Sequence, residues 1–308
     1  MLSAIRPSWA RFSAPGASII AAYAAMVLIW GTTWLGIKLS LGGLPPLTGA
    51  GARFVIAGAA FYLIALALKT NLRKAAPPAH LVIVLALTMF GVTYALTYLA
   101  ETHLSSGLVA VLFGTMPFFV YAFAHVLLGE RATPRMLFGA LLALAGVAAI
   151  SLSGNVRASL AYIAAALLAS ASSAFANVYL KRYASAEPLA TLPPAMLLGG
   201  ALMLASGLLF EHLDIARAVT FSSIASLLYL AAGGSVIAYY LNHWLLQRVD
   251  SGTVGLSALM IPVVAVSVGV LFGGEVLRFA DFAGAALVLL GSRLALASQA
   301  ARPLEPAA

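Results

Sequence analysis

The chain has 308 residues, of which 63% are hydrophobic and only 8% charged, and its mean hydropathy is +1.03. A soluble domain carries about 25% charged residues, so this chain lacks the polar surface that a water-soluble globule needs. Its net charge of +8 does not mark a nucleic-acid partner, because the basic residues are scattered through short loops and form no patch.

A lipid bilayer supplies the apolar solvent such a composition needs, and it demands apolar runs of about 20 residues. They extend from Ser18 to Gln299, with no polar stretch long enough for a soluble domain. Weak strand-like alternation and abundant Ala, Leu and Gly favour helices over a β-barrel. The first run follows Arg6 and Arg11, as the core of a signal peptide would. It continues through Trp30, Thr33 and Trp34 to Lys38, too long for such a core, and is expected to be retained.

After a tail over 1–17, the first set of expected helices is Ser18–Leu41, Gly49–Leu68, Ala79–Ala100, Leu104–Leu128 and Pro134–Ser153. The second is Ala158–Leu180, Leu189–Phe210, Ser222–Leu246, Thr253–Phe272 and Ala280–Gln299, followed by a tail over 300–308. With the N-terminus inside, the inner loops and tails hold Arg6, Arg11, Lys69, Arg73, Lys74, Arg131, Arg135, Lys181, Arg182, Arg248 and Arg302. The outer loops hold Arg157, Arg217 and Arg278; Lys38, Arg53 and Arg293 fall within helices or at their ends. Eleven against three is a strong positive-inside bias. The expected protein is an all-α polytopic membrane protein with ten spans and both termini cytoplasmic, placed in a bacterial inner membrane.

Shifting the chain against itself by 145 residues brings Tyr94 onto Tyr239, Gly107 onto Gly252 and Pro117 onto Pro262. It also brings Gly129-Glu130 onto Gly274-Glu275, Gly139 onto Gly284 and Gly146 onto Gly291; at an offset of 143, Lys38 meets Lys181. The repeats are therefore expected over 18–153 and 158–299. Five helices per copy is an odd number, so the copies enter the membrane from opposite sides, the arrangement that supports alternating access around a central site. Two halves in one chain are enough for a monomer.

Each Gly-Glu pair is followed by a helix with spaced glycines: Leu128-Gly129-Glu130 through Gly139 and Gly146, and Gly273-Gly274-Glu275 through Gly284 and Gly291. These two motifs resemble the EamA repeat. Together with Trp30-Gly31-Thr32-Thr33-Trp34, they make nearly the whole chain resemble the drug/metabolite transporter superfamily, and within it the bacterial amino-acid exporters of the YddG type. The resemblance implies ten helices around a central cavity and export of amino acids or related metabolites.

Polar residues are costly in a bilayer and turn toward a bundle interior or a watery cavity. Tyr94, Thr97, Tyr98 and Glu101 share one helical face, and Tyr239, Asn242 and His243 repeat it at the 145 offset. Trp30, Thr33, Trp34 and Ile37 form another face with Lys38 at its edge; Ser170, Ser173 and Asn177 form a fourth. Of these residues, Trp30, Thr33, Trp34, Lys38, Tyr94, Thr97, Tyr98, Glu101, Ser173, Asn177, Tyr239, Asn242 and His243 are the expected substrate contacts. Aromatic rings suit an apolar side chain and an ammonium group, while amide, hydroxyl and imidazole groups suit the polar ends of a zwitterion. The competing uses are interfacial belts for Trp and Tyr and hydroxyls bonded to their own helix. Lys38 either snorkels to the interface, attracts a substrate carboxylate, or pairs with Glu101 at the outer mouth. Glu130 and Glu275 are expected to be structural, and His125 to be a packing residue.

Gly107, Val111 and Gly114, with Gly252 and Gly255, give the fourth and ninth helices small-residue starts, and Pro117 and Pro262 are expected to bend them near their centres. These two helices are the expected gate. Absence of Cys, HExxH and EF-hand spacing leaves no expected metal, cofactor or catalytic residue. An intramembrane enzyme would need a nucleophile and base, a carboxylate pair or a metal in a cavity. A proton-coupled exporter of lipophilic cations would need a carboxylate in mid-helix. A flippase for phosphate-bearing lipids or sugar nucleotides would need more cavity cations than Lys38 and Arg53.

Overall fold

The computed structural model describes residues 16–104, 109, 112–152, 160–183, 186–273 and 279–300. Gly107, Val111, Gly274, Glu275 and the loop cations Arg157 and Arg278 lie outside these residues, as do both extreme tails. Every regular element among the described residues is helical. Apart from a single helical turn at Ile215–Ala218, in chain order they are α1 Gly16–Leu41, α2 Pro46–Ala67, α3 Ala79–His103, α4 Met116–Leu128, α5 Pro134–Leu152, α6 Leu160–Arg182, α7 Pro188–Phe210 and α8 Phe221–Leu246. Then come α9, in two pieces (Ser251–Gly255 and Ser257–Gly273), and α10 Phe279–Ala300. Six of them (α1, α2, α3, α6, α7 and α8) are long and apolar enough to cross a bilayer, and the other four contain shorter apolar stretches. The fold is that of an all-helical polytopic membrane protein. Large side chains such as Leu63, Val126, Leu209 and Phe210 stay exposed on its outside, where only lipid would accept them.

Local chemistry sets the helix ends. Pro46 opens α2, and Pro117 lies in the first turn of α4, where a missing backbone donor costs nothing. The expected interruption near the centre of Leu104–Leu128 lies at the turn Gly114–Thr115, just before Pro117, and helix resumes at Met116. Pro262 does lie inside α9, but the interruption there is at Leu256. Gly129 ends α4 in a left-handed conformation at φ 69°. Its N–H returns to His125 O at 3.2 Å and that of Glu130 to Ala124 O at 3.2 Å, so the Gly of the first Gly-Glu pair is a helix stop.

Two features of the fold were not anticipated. Residues Ala86–Val92 of α3 and Ala232–Ile237 of α8 are wound as π-helix, and the two stretches coincide at the 145 offset. Widened turns of this kind free carbonyls from the regular ladder. The second feature is antiparallel glycine packing. Gly139 of α5 meets Gly291 of α10, and Gly146 meets Gly284. A residue of one helix thus meets the repeat mate of the other, with register running in opposite directions, the pattern of a two-fold axis perpendicular to the helices. α2 and α7 also run antiparallel, Gly51 against Leu204 and Gly58 against Leu197. The remaining contacts mirror each other: α1 packs on α8 and α9, and α6 on α3 and α4.

A Cβ on Gly139 would lie 2.6 Å from Gly291 O and 2.7 Å from Ala295 N. Gly139→Val should therefore cost about 1–3 kcal/mol, read as a lower unfolding midpoint in detergent. Gly16→Ala, with nothing within 4 Å of the new atom, should leave the midpoint in place.

Candidate functional site

One cavity, ≈ 670 Å³ of empty space with its open side included, sits where the two halves meet. α1 contributes Trp30, Thr33, Trp34 and Ile37, and α3 contributes Thr93, Tyr94 and Thr97. α6 supplies Ser173 and Asn177, α8 supplies Tyr239 and Asn242, and Val254, Ser257, Ala258 and Ile261 of α9 close the wall with Phe113 and Met116. Nine of the thirteen expected contact residues thus surround a single space. Its lining is aromatic and aliphatic, interrupted by amides and hydroxyls.

Repeat mates meet in its wall: the Tyr239 hydroxyl donates to the Tyr94 hydroxyl at 2.9 Å. Two residues 145 apart can touch in this way only next to the pseudo-symmetry axis. Trp30 stands edge-on to Tyr239 at 5.5 Å between ring centroids, with Phe54 and Phe90 behind. The amides are fixed in a chain: Asn242 Nδ2 donates to Asn177 Oδ1 at 2.8 Å, and Asn177 Nδ2 to Ser173 O at 2.8 Å. Thr33 and Thr97 return their hydroxyl protons to Trp30 O and Thr93 O of their own helices, each at 2.7 Å, so they offer a solute their lone pairs only.

The other four expected residues lie elsewhere. Lys38 and Glu101 line a second space at the far end of α1 and α3, ≈ 980 Å³, with Thr102, His212, Asp214 and Arg217. They do not pair: Lys38 is exposed, while Glu101 is buried with neither oxygen hydrogen-bonded among the described residues. Tyr98 and His243 are buried behind the cavity wall, also without hydrogen-bond partners for their side chains among the described residues. Ser170 is buried too, donating to Phe113 O at 3.2 Å. His125, expected to pack, is exposed instead, because the buried face of α4 runs through Met116, Val120 and Ala124.

Among the expected gate residues, Gly255 packs on Val120 of α4, where a Cβ would lie 3.1 Å from its Cγ2; Gly252 and Gly114 are buried. Glu130 accepts a hydrogen bond from Ser251 Oγ at 2.6 Å, tying the end of α4 to the start of α9. Burial holds its carboxyl above the usual carboxylate range, opposed by that hydrogen bond. At the same end, Lys181 Nζ donates to Leu246 O at 2.6 Å and Val249 O at 2.7 Å, fastening α6 to the last turn of α8. Among the described residues no group of His, Asp and Glu could hold a metal.

Sequence reading left Arg53 uncounted. It is completely buried, donating from Nε to Ser235 Oγ at 2.8 Å and from Nη2 to Gly234 O at 3.1 Å. Gly234 lies in the π-helical turn of α8, and the same carbonyl accepts the Trp30 indole N–H at 3.3 Å. A charge inside a predicted span was the available signal.

Comparison with known proteins agrees with this architecture. The EamA-like transporter family model matches twice, over residues 17–152 and 160–297. An uncharacterized inner membrane transporter, YedA of Escherichia coli (strain K12), is 28% identical over 289 residues, covering 92% of each chain. An uncharacterized transporter of Archaeoglobus fulgidus is 30% identical, covering 87% of this chain and 95% of its own. A probable amino-acid metabolite efflux pump of Salmonella typhimurium is 28% identical, over 86% of this chain and 90% of that one. A solved crystal structure shares the fold with a TM-score of 0.80 at 22% identity, over 92% of this chain and 98% of that one. With both halves matched by one family model, the chain belongs to the EamA-like transporters of the drug/metabolite transporter superfamily, and it is a multi-pass membrane transporter, not an enzyme.

Proposed function

We propose that the protein exports small zwitterionic metabolites, aromatic and other neutral amino acids first, by alternating access through the cavity around Tyr94 and Tyr239. In this reading it spans a bacterial inner membrane ten times as two inverted repeats over 18–153 and 158–299, with both termini cytoplasmic. The positive-inside bias and the antiparallel glycine crossing of α5 and α10 support that topology.

The observation that carries the substrate reading is the composition of the wall. Aromatic edges and faces from Trp30, Trp34, Tyr94 and Tyr239 give an apolar side chain and an ammonium group a place to lie. The chained amides of Asn177 and Asn242, with Ser173 and Ser257 beside them, offer the polar end hydrogen bonds. The described relative named as a probable amino-acid metabolite efflux pump points the same way, as does the resemblance to the YddG-type exporters. A drug-cation exporter is the weaker reading, because no carboxylate lines the cavity among the described residues. Facilitated export down the substrate gradient fits such a wall, and in a proton-coupled exporter His243 or Glu101 would carry the proton.

Labelled phenylalanine and other neutral amino acids loaded into proteoliposomes should leave saturably without a pH gradient. Asn177→Ala should slow that flux about tenfold, since it removes one hydrogen bond and leaves the Asn242 amide unpaired. Absence of flux for every amino acid would overturn the substrate reading.

A further inference from the structure

The cavity has a cation behind its wall. The Arg53 guanidinium lies 4.8 Å from the centroid of the Tyr94 ring and 5.1 Å from that of Phe54, and Tyr94 itself lines the cavity. Nη1 has no hydrogen-bond partner and no carboxylate forms an ion pair with the group among the described residues. Arginine does not shed its proton to escape burial. In a low-dielectric surround its field carries further than in water.

We propose that Arg53 is a specificity-determining residue, whose buried charge, held in no ion pair and acting through the Tyr94 ring, makes the cavity select solutes with a carboxylate over amines of the same size. Arg53 does not touch the solute. It acts as a positioning residue too, since it shares the Gly234 carbonyl with Trp30. This inference rests on the proposed export of zwitterions, but its test reads charge selection separately from transport. Quenching of tryptophan fluorescence by phenylpropionate and by phenethylamine compares an anion and a cation of nearly equal shape. The unaltered protein should prefer the anion by about tenfold, the scale of one partly screened charge at this range. Arg53→Gln should remove the preference, chiefly by weakening the anion, and Arg53→Lys should keep most of it. Equal weakening of both probes in Arg53→Gln would mean a purely structural role and overturn the proposal, as would an unaltered protein with no anion preference. If the preference holds but no amino acid is transported, the export reading fails and the charge selection stands.

A different observation carries a second inference. Lys181 and its repeat mate Lys38 are in opposite states: Lys181 is bonded to Leu246 O and Val249 O, while Lys38 stands exposed beside the last turn of α3. The positions matching Leu246 and Val249 at the 145 offset are Glu101 and Leu104, in that last turn. The geometry points to two exchangeable latches, in which the inner end is shut by Lys181 capping α8 and the outer end closes when Lys38 caps the carbonyls of Glu101 and Leu104. A cation on the free carbonyls of a helix C-terminus is favourable at either site. The chain has no cysteine, so Thr102→Cys in the outer space reports access without background. Its labelling rate in membranes should fall severalfold with Lys181→Gln and rise with Lys38→Gln. Changes in the same direction, or none, would overturn the latch.

Discussion

Hydrocarbon offers backbone groups no hydrogen bonds, so any carbonyl released from a helix ladder must be met by the protein itself. The two π-helical turns lie at matched positions in α3 and α8, and carbonyls in and beside them accept bonds from neighbouring side chains. In α8, Gly234 O receives both Arg53 and Trp30, and Leu230 O receives Ser235, which in turn holds Arg53. In α3, Thr88 O receives Thr93 and Ser172. These bonds join α1, α2 and α8 on one side and α3 and α6 on the other. The aromatic wall, the position of Trp30 and the burial of a guanidinium all follow from satisfying them.

The same arrangement suits a machine with two states. The axis of the repeat passes beside Tyr94 and Tyr239, so the cavity occupies the place that both halves share. Glycine contacts along α5 and α10 let backbones approach closely, a packing that depends on shape and not on hydrophobic drive, which lipid does not supply. The symmetry is incomplete among the described residues: Lys181 is engaged where Lys38 is not. The proposed alternating access would require such differences, with each half holding one of two conformations at a time.

Much of this was legible in the sequence, because lipid makes helix length and apolar content nearly sufficient for finding spans. The repeat appeared through Gly, Pro and Tyr at one offset, and the faces around Tyr94, Tyr239, Trp30 and Asn177 followed from helical spacing. What escaped had physical reasons. A π-turn has no distinctive residue, and helical spacing alone does not separate Tyr98 and His243 from the wall-lining residues on the same helical face. Pro117 reads equally as a kink or as a first-turn residue, and only the upstream turn decides. Arg53 finds its acceptors 181 and 182 residues away, so a local reading sees only an awkward charge. Lys181 counted as an orientation signal and proves to be bonded across helices.

The central claim is that the two halves exchange conformations around one cavity. Its most direct test is a pair of distance measurements by spin labels, on Leu39 with Thr102 at the outer end and on their repeat mates Arg182 with Gln247 at the inner end. In proteoliposomes, with phenylalanine varied from none to saturating, the shorter outer distance should gain population in proportion as the longer inner distance does. Outer and inner distances that stay fixed, or that lengthen together, would contradict exchange between the repeats.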